Sequence, residues 1–194
     1  MKIIGISGTN GSGKDTVGDL LAERYNFLFV SVTEMLRDEL RRRKLPINRV
    51  QTSQLSAEWR RDFGHGVLVQ KAIEHYKNQT QTYAGLVVAS LRHPSEVEVV
   101  HESGGQVIWI DAEPRVRYDR IQKNAHLRNR AGEDNTTFEK FLDDEKREMK
   151  PEGDKATLDM GSVKQKADIF IENNGNDVKA FQKAAEKALE KYLT

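Results

Sequence analysis

Five short runs of consecutive apolar residues punctuate the chain: Ile3-Ile4-Gly5-Ile6-Ser7, Phe27-Leu28-Phe29-Val30, Gly85-Leu86-Val87-Val88-Ala89-Ser90, Gln106-Val107-Ile108-Trp109-Ile110-Asp111 and Asp168-Ile169-Phe170-Ile171-Glu172. Runs this short, rich in β-branched residues and without polar alternation, predict strands buried on both faces, as in a parallel sheet. Between them the apolar positions recur with a helical period. Helices are predicted from Lys14 to Tyr25, from Ser31 or Thr33 (either one the cap) through a basic end at Arg41-Arg42-Arg43-Lys44, and in two pieces over 46–78 broken at Gly64-His65-Gly66. Further helices start near Pro94, run from Pro114 to about Lys123, from about Thr137 to Lys150, and from Val178 to Leu193. Trp59, Phe63, Val67, Leu68 and Ile73 are expected on buried helix faces. Strand alternating with helix specifies an α/β fold, a five-stranded parallel sheet flanked by helices. With no repeat, linker or low-complexity segment, one domain is expected over residues 1–194.

The first strand runs straight into Gly8-Thr9-Asn10-Gly11-Ser12-Gly13-Lys14-Asp15-Thr16, and a helical pattern follows at once. The spacing from Gly8 to Gly13-Lys14 is that of a Walker A loop, in which glycines let backbone N–H groups turn inward around phosphate oxygens and the lysine reaches the β- and γ-phosphates. The helix aims its N-terminal dipole at the same anion. Gly8, Asn10, Gly11, Ser12, Gly13, Lys14, Asp15 and Thr16 are therefore the candidate nucleotide-binding residues, with ATP as donor. Asp15 stands where a Ser or Thr hydroxyl normally meets magnesium. A carboxylate there can hold Mg²⁺ directly or through water, or it is a first-turn acid favoured by the dipole.

Composition narrows the rest. Thirty-one Lys and Arg against thirty Asp and Glu leave no global field for nucleic acid or an acidic membrane, so anion binding has to be local. The run Arg37 to Lys44 lacks the interleaved aromatics that stack on bases, and its basic end complements a helix C-terminus. There is no cysteine, which excludes disulfides, thiolate metal sites and cysteine nucleophiles, and the five histidines form no metal-type spacing and are expected at the surface or in supporting roles. No apolar stretch approaches membrane-spanning length and Met1-Lys2 opens onto a strand, so a soluble, cytoplasmic protein without membrane partners is expected.

With these elements in place, the chain resembles the nucleoside monophosphate kinase group of P-loop proteins, including adenylate kinases, deoxynucleoside monophosphate kinases and dephospho-coenzyme A kinases. The likeness runs over nearly the whole length. It implies the P-loop nucleoside triphosphate hydrolase fold, with a helical acceptor-binding insertion over about 31–80 and a short lid over about 124–150. Ser31-Val32-Thr33-Glu34-Met35-Leu36-Arg37 is similar to the acceptor-binding segment of adenylate kinases, which makes Arg37 an acceptor-phosphate ligand and places Glu34 beside it. Gly85 to Arg92 is similar to the strand ending in a second acceptor-phosphate arginine, here Arg92. Arg120, Arg128 and Arg130 match the catalytic lid arginines in general placement, and the turn at Asn173-Asn174-Gly175 is similar to the loop against the donor's adenine. The implied activity is transfer of the ATP γ-phosphate, with Mg²⁺, to a small phosphorylated nucleotide-like acceptor, either a nucleoside or deoxynucleoside monophosphate or dephospho-coenzyme A. One departure stands out: the family commonly has an aspartate where this chain has Ala89 or Ser90. That leaves Asp15, Asp111 or Glu34 to share the metal, and it keeps open a nucleotide-binding switch or slow ATPase that uses the same loop without a small acceptor.

Overall fold

A computed structural model describes residues 1–124, 136–151 and 153–193. Its strands are β1 (Lys2–Gly8), β2 (Phe27–Ser31), β3 (Gly85–Ala89), β4 (Gln106–Asp111) and β5 (Ile169–Glu172). All neighbouring pairs are parallel, in the order β2-β3-β1-β4-β5. Each predicted apolar run is thus a strand. Along β1 the side chains alternate between two cores: Ile3 faces one with Leu86, Val88, Val107 and Trp109, while Ile4 and Ile6 face the other with Val87, Ile108, Ile110 and Ile171. Burying such side chains stabilises the fold by about 1.5–3 kcal/mol each, which is why the central strands β1, β3 and β4 read as nearly uninterrupted apolar stretches; the edge strand β5 leaves Phe170 exposed.

Helices cover both faces. α1 (Lys14–Tyr25) and α9 (Val178–Leu193) pack on the second core; α2 (Val32–Arg42), α3 (Arg49–Phe63), α4 (Val67–Lys77), α5 (Pro94–Glu102) and α8 (Met160–Lys166) pack on the first. α6 (Pro114–Lys123) and α7 (Phe138–Glu148) complete the set among the described residues. Of the two caps offered for the second helix the structure uses Ser31, whose hydroxyl accepts the Glu34 N–H.

One expectation changes. Phe63 is 62% exposed rather than core: it is the last residue of α3, which stops at Gly64 (φ 95°), and the Lys71 ammonium lies 5.4 Å from its ring centroid. Of the two places expected for the histidines, His93 has the supporting one: it is buried, its Nδ1 accepts the Ser95 N–H as the cap of α5, and burial pushes its pKa below the usual histidine value. Short α8 was not foreseen, since seven residues are too few to set up a legible period; Met160 and Val163 nevertheless join the first core. Among the described residues no helix is long and apolar enough to cross a membrane.

The order of the strands places the site. From β1 the chain crosses to β2, and from β3 it crosses back over β1 to β4, so the connections diverge beyond the C-terminal ends of β1 and β3. Open α/β sheets bind ligands at such a divergence.

Candidate functional site

The glycine-rich loop leaves β1 at Gly8, which has φ 138° and lies so close to β4 that a Cβ would stand 1.9 Å from the Ile110 carbonyl oxygen. Only glycine fits there. Gly13, at φ 104°, caps α1 in the left-handed region, and a Cβ would come 2.8 Å from Asn173 Nδ2. Inside the loop the buried Lys14 donates from Nζ to the carbonyls of Gly8 (3.0 Å) and Thr9 (2.7 Å). The fully buried Ser12 hydroxyl has no hydrogen-bond partner. A cradle of backbone amides with a buried ammonium and an orphaned hydroxyl fits a polyphosphate.

The loop is held from three sides. Thr9 Oγ1 donates to Asp111 Oδ1 at the end of β4 (2.7 Å). Burial raises the Asp111 pKa, but hydrogen bonds from Thr9, Trp109 and the Ala112 amide, with the Arg117 charge nearby, outweigh it and hold the carboxyl below the ordinary range. Arg117, buried on α6, donates to Ala112 O (2.6 Å), to Asn10 O (3.3 Å) and to Glu145 on α7. Asn173 Nδ2 donates to Ser12 O at 2.8 Å.

A cleft of about 1670 Å³ opens at the loop. Asn10, Gly11, Gly13, Lys14, Asp15 and Thr16 line it on the loop side, and Arg37, Arg92, Arg120 and Gly175 line it elsewhere. Gly8, Ser12, Glu34 and Asn174 are not among its lining residues. Glu34 instead accepts from Arg37 (2.9 Å) and lies 3.8 Å from Arg41, and Asn174 Oδ1 accepts the Glu113 amide. Arg120 donates to Gly175 O, and its buried Nη1 has no partner among the described residues. Burial lowers its pKa. Arg128 and Arg130 lie outside the described residues.

For magnesium the donor set is Asp15, exposed, and Thr16, half-buried, both lining the cleft. That suits an ion that takes one or two protein oxygens and fills its shell with phosphate and water. Asp111 is occupied in holding Thr9, and among the described residues no cluster of three or more His, Asp or Glu is placed to hold a metal ion.

Along the same cleft the structure brings together residues that sequence reasoning missed. Arg49, the first residue of α3, donates from Nε (2.9 Å) and Nη2 (2.6 Å) to Glu148 Oε1, while Arg92 Nη1 donates to Glu148 Oε2 (2.6 Å). Burial raises the Glu148 pKa, and the Arg92 and Arg49 charges more than reverse it. The turn carrying Arg92 rests on Glu96, wholly buried, whose Oε2 accepts the amides of Arg92 (2.7 Å) and His93 (3.2 Å) and whose Oε1 accepts from Arg60 (2.7 and 3.2 Å). No local signal marks these pairs, because their members lie far apart in sequence.

Comparison with known proteins agrees with this geometry. Residues 4–153 match the family described as an AAA domain. A UPF0200 protein of Pyrococcus abyssi is 28% identical over 195 residues, covering 98% of this chain and 97% of its own. Another from Methanococcus maripaludis is 25% identical over 177 residues, 91% and 90% of the two chains. Among solved structures, shikimate kinase from Bacteroides thetaiotaomicron superposes with a TM-score of 0.62 at 13% identity, over 97% of this chain and 98% of that one, a likeness that shows the fold alone.

Proposed function

We propose, on the premise that the chain belongs to this AAA-domain family and has the fold of the P-loop kinases, that it is an ATP-dependent kinase passing the γ-phosphate to a small phosphorylated nucleotide-like acceptor. The observation that carries this reading is one cleft lined at one side by the Lys14 loop and at the other by Arg37 and Arg92. A loop that only hydrolysed or sensed a nucleotide has no use for arginines across the cleft, whereas a kinase needs cations to seat an anionic acceptor in line with the donor.

In this reading Lys14 exchanges the Gly8 and Thr9 carbonyls for the donor's terminal phosphates. Arg120, with a buried donor to spare, turns Nη1 to the transferring group. Arg37 and Arg92 hold the acceptor's phosphate. Magnesium, when bound at Asp15 and Thr16, supplies charge neutralisation on the phosphates. For a monophosphate acceptor the attacking oxygen is itself a phosphate oxygen and needs no base, which agrees with Glu34 being paired to Arg37 away from the cleft lining; dephospho-coenzyme A, which accepts on a hydroxyl, would need a base, and Glu34 is the carboxylate for that role.

The test is acceptor-dependent ADP release, screened over nucleoside monophosphates, deoxynucleoside monophosphates and dephospho-coenzyme A. A second reading, a nucleotide-dependent switch or slow ATPase, is favoured by one observation, that β3 ends at Ala89-Ser90 without a carboxylate. ADP release that is slow and indifferent to every acceptor would select it over the kinase.

A further inference from the structure

The two guanidinium groups that converge on Glu148 do not come from neighbouring turns. Arg49 opens α3 and Arg92 follows β3, yet they meet at one carboxylate from the last residue of α7, each of its oxygens taken by a different arginine. All three residues line the same cleft as the loop lysine. An arginine pair that grips both oxygens of a planar anion in a ligand cleft is an oxyanion site, and here a side chain of the chain itself occupies it.

We propose that Arg49 and Arg92 form the seat for the acceptor's phosphate monoester and that Glu148 is its internal stand-in, displaced when the acceptor binds. This rests on the kinase reading and adds Arg49 to it as a substrate contact, with Glu148 as the competitor that sets acceptor affinity. A phosphate dianion brings more charge and a third oxygen to the same two guanidinium groups, so it outcompetes a carboxylate even though the carboxylate is tethered. Displacement is inexpensive in structure. Of the residues of α7 only Phe141 is buried, and Glu148 ends the helix, so swinging its side chain away from the arginines breaks no backbone hydrogen bond. The seat therefore exists in two forms, closed on Glu148 or open to the acceptor, and the acceptor's apparent affinity is its intrinsic affinity reduced by the fraction of open sites.

The experiment measures inorganic phosphate and AMP binding by calorimetry to the full chain and its variants. Glu148→Gln is expected to tighten both on the order of tenfold by removing the competitor. Arg49→Ala and Arg92→Ala are each expected to weaken both on the order of a hundredfold. ATP affinity stays unchanged in all three. Hydrogen exchange on the unaltered protein supplies an arm that needs no variant: added phosphate should speed exchange of the amides around Glu148 while slowing that at the start of α3. Equal phosphate and AMP affinity in Glu148→Gln and the parent, or unchanged exchange around Glu148 with phosphate, would overturn the proposal and leave Glu148 as a structural tie. The two readings fail separately. Tightened phosphate binding in Glu148→Gln without acceptor-dependent ADP release would keep the seat and reject the kinase; acceptor-dependent release with Glu148→Gln binding like the parent would keep the kinase and reject the seat.

Discussion

Replacing Glu96 by Gln tests whether a buried ion pair carries the acceptor side of the site. Arg60 and Glu96 are 1% and 0% exposed, so both charges are removed from water and each depends on the other. The remaining partners of Arg60, the Ser56 hydroxyl (3.2 Å) and the Ala156 carbonyl (3.1 Å), are neutral. Taking away the carboxylate's charge leaves the guanidinium uncompensated, a loss of about 3–5 kcal/mol. For a chain of this length each kcal/mol moves Tm by about 2–4 °C, so Tm should fall by about 6–20 °C. The double variant Arg60→Met, Glu96→Leu removes both charges together, but it also takes the acceptor from the Arg92 and His93 amides at about 1–3 kcal/mol each, so it should recover little of that loss. Calorimetric melting of the three proteins gives the answer. If Glu96→Gln melted within about 2 °C of the parent, the pair would not be desolvated as its burial implies, and the reasoning would fail.

Lys14→Ala should cut ADP release on the order of a hundredfold or more with little change in Tm, as read by a coupled assay; near-normal turnover would remove the loop from the chemistry. Arg37→Ala should raise the acceptor KM or lower the rate on the order of a hundredfold and leave ATP affinity unchanged, and an equal loss of ATP affinity would move this arginine to the donor. Hydrogen bonds from Arg42 and Arg43 lower the Glu39 pKa from 4.5 to about 2, and Asp111 and Glu148 are also held low in the folded state. Because the unfolded chain then takes up protons first, the urea midpoint should be level above about pH 5 and fall as pH drops through 4.5 towards 2; a level profile down to pH 2 would contradict these pairings. Ser90 sits at φ 71°, so Ser90→Gly should relieve about 1–2 kcal/mol of strain against about 0.5–1 kcal/mol of added chain entropy, raising Tm by about 1–4 °C, and a lower Tm would count against strain at that residue.

The sheet was legible in the sequence because its signal is local. A strand buried on both faces must be apolar at nearly every position, and β1, β3 and β4 meet that requirement within a few residues each, while the edge strand β5 is apolar enough to be legible although Phe170 is 57% exposed. The phosphate loop was legible for the same reason: Gly8, Gly13 and Lys14 lie within seven consecutive residues and their spacing is their geometry. Short-range reasoning fails where tertiary context decides. Phe63 and the Trp59 four residues before it look alike in a helical pattern, yet Trp59 joins the first core while Phe63, at the helix end before Gly64, is left exposed. The turn at 173–175 was visible, but not which asparagine would reach back: Asn173 bonds Ser12 O while Asn174 bonds the Glu113 amide. Arg49 gave no sign at all, since its partner lies 99 residues further along the chain.

These differences divide the cleft into halves built by different physics. The donor half is a contiguous loop whose backbone is set by glycine conformation and pinned by Thr9, Asn10 and Ser12 to β4, α6 and the turn after β5. In the proposed reading the acceptor half is assembled from α2, α3, the turn after β3 and α7 by charged side chains. Two acids one turn apart on α7 have different duties. Glu145 meets Arg117, which is buried and also bound to Ala112 O and Asn10 O, so moving it would strand a guanidinium and disturb the phosphate loop. Glu148 meets Arg49 and Arg92, which are partly exposed and face the cleft, so an incoming anion can replace it without leaving either arginine unpaired. In the proposed seat the Glu145 side chain therefore stays in place while the Glu148 side chain alone swings away, the backbone beyond it held by the Met149 carbonyl that accepts the Gly161 N–H, which lets acceptor binding proceed while the loop around Lys14 keeps its shape.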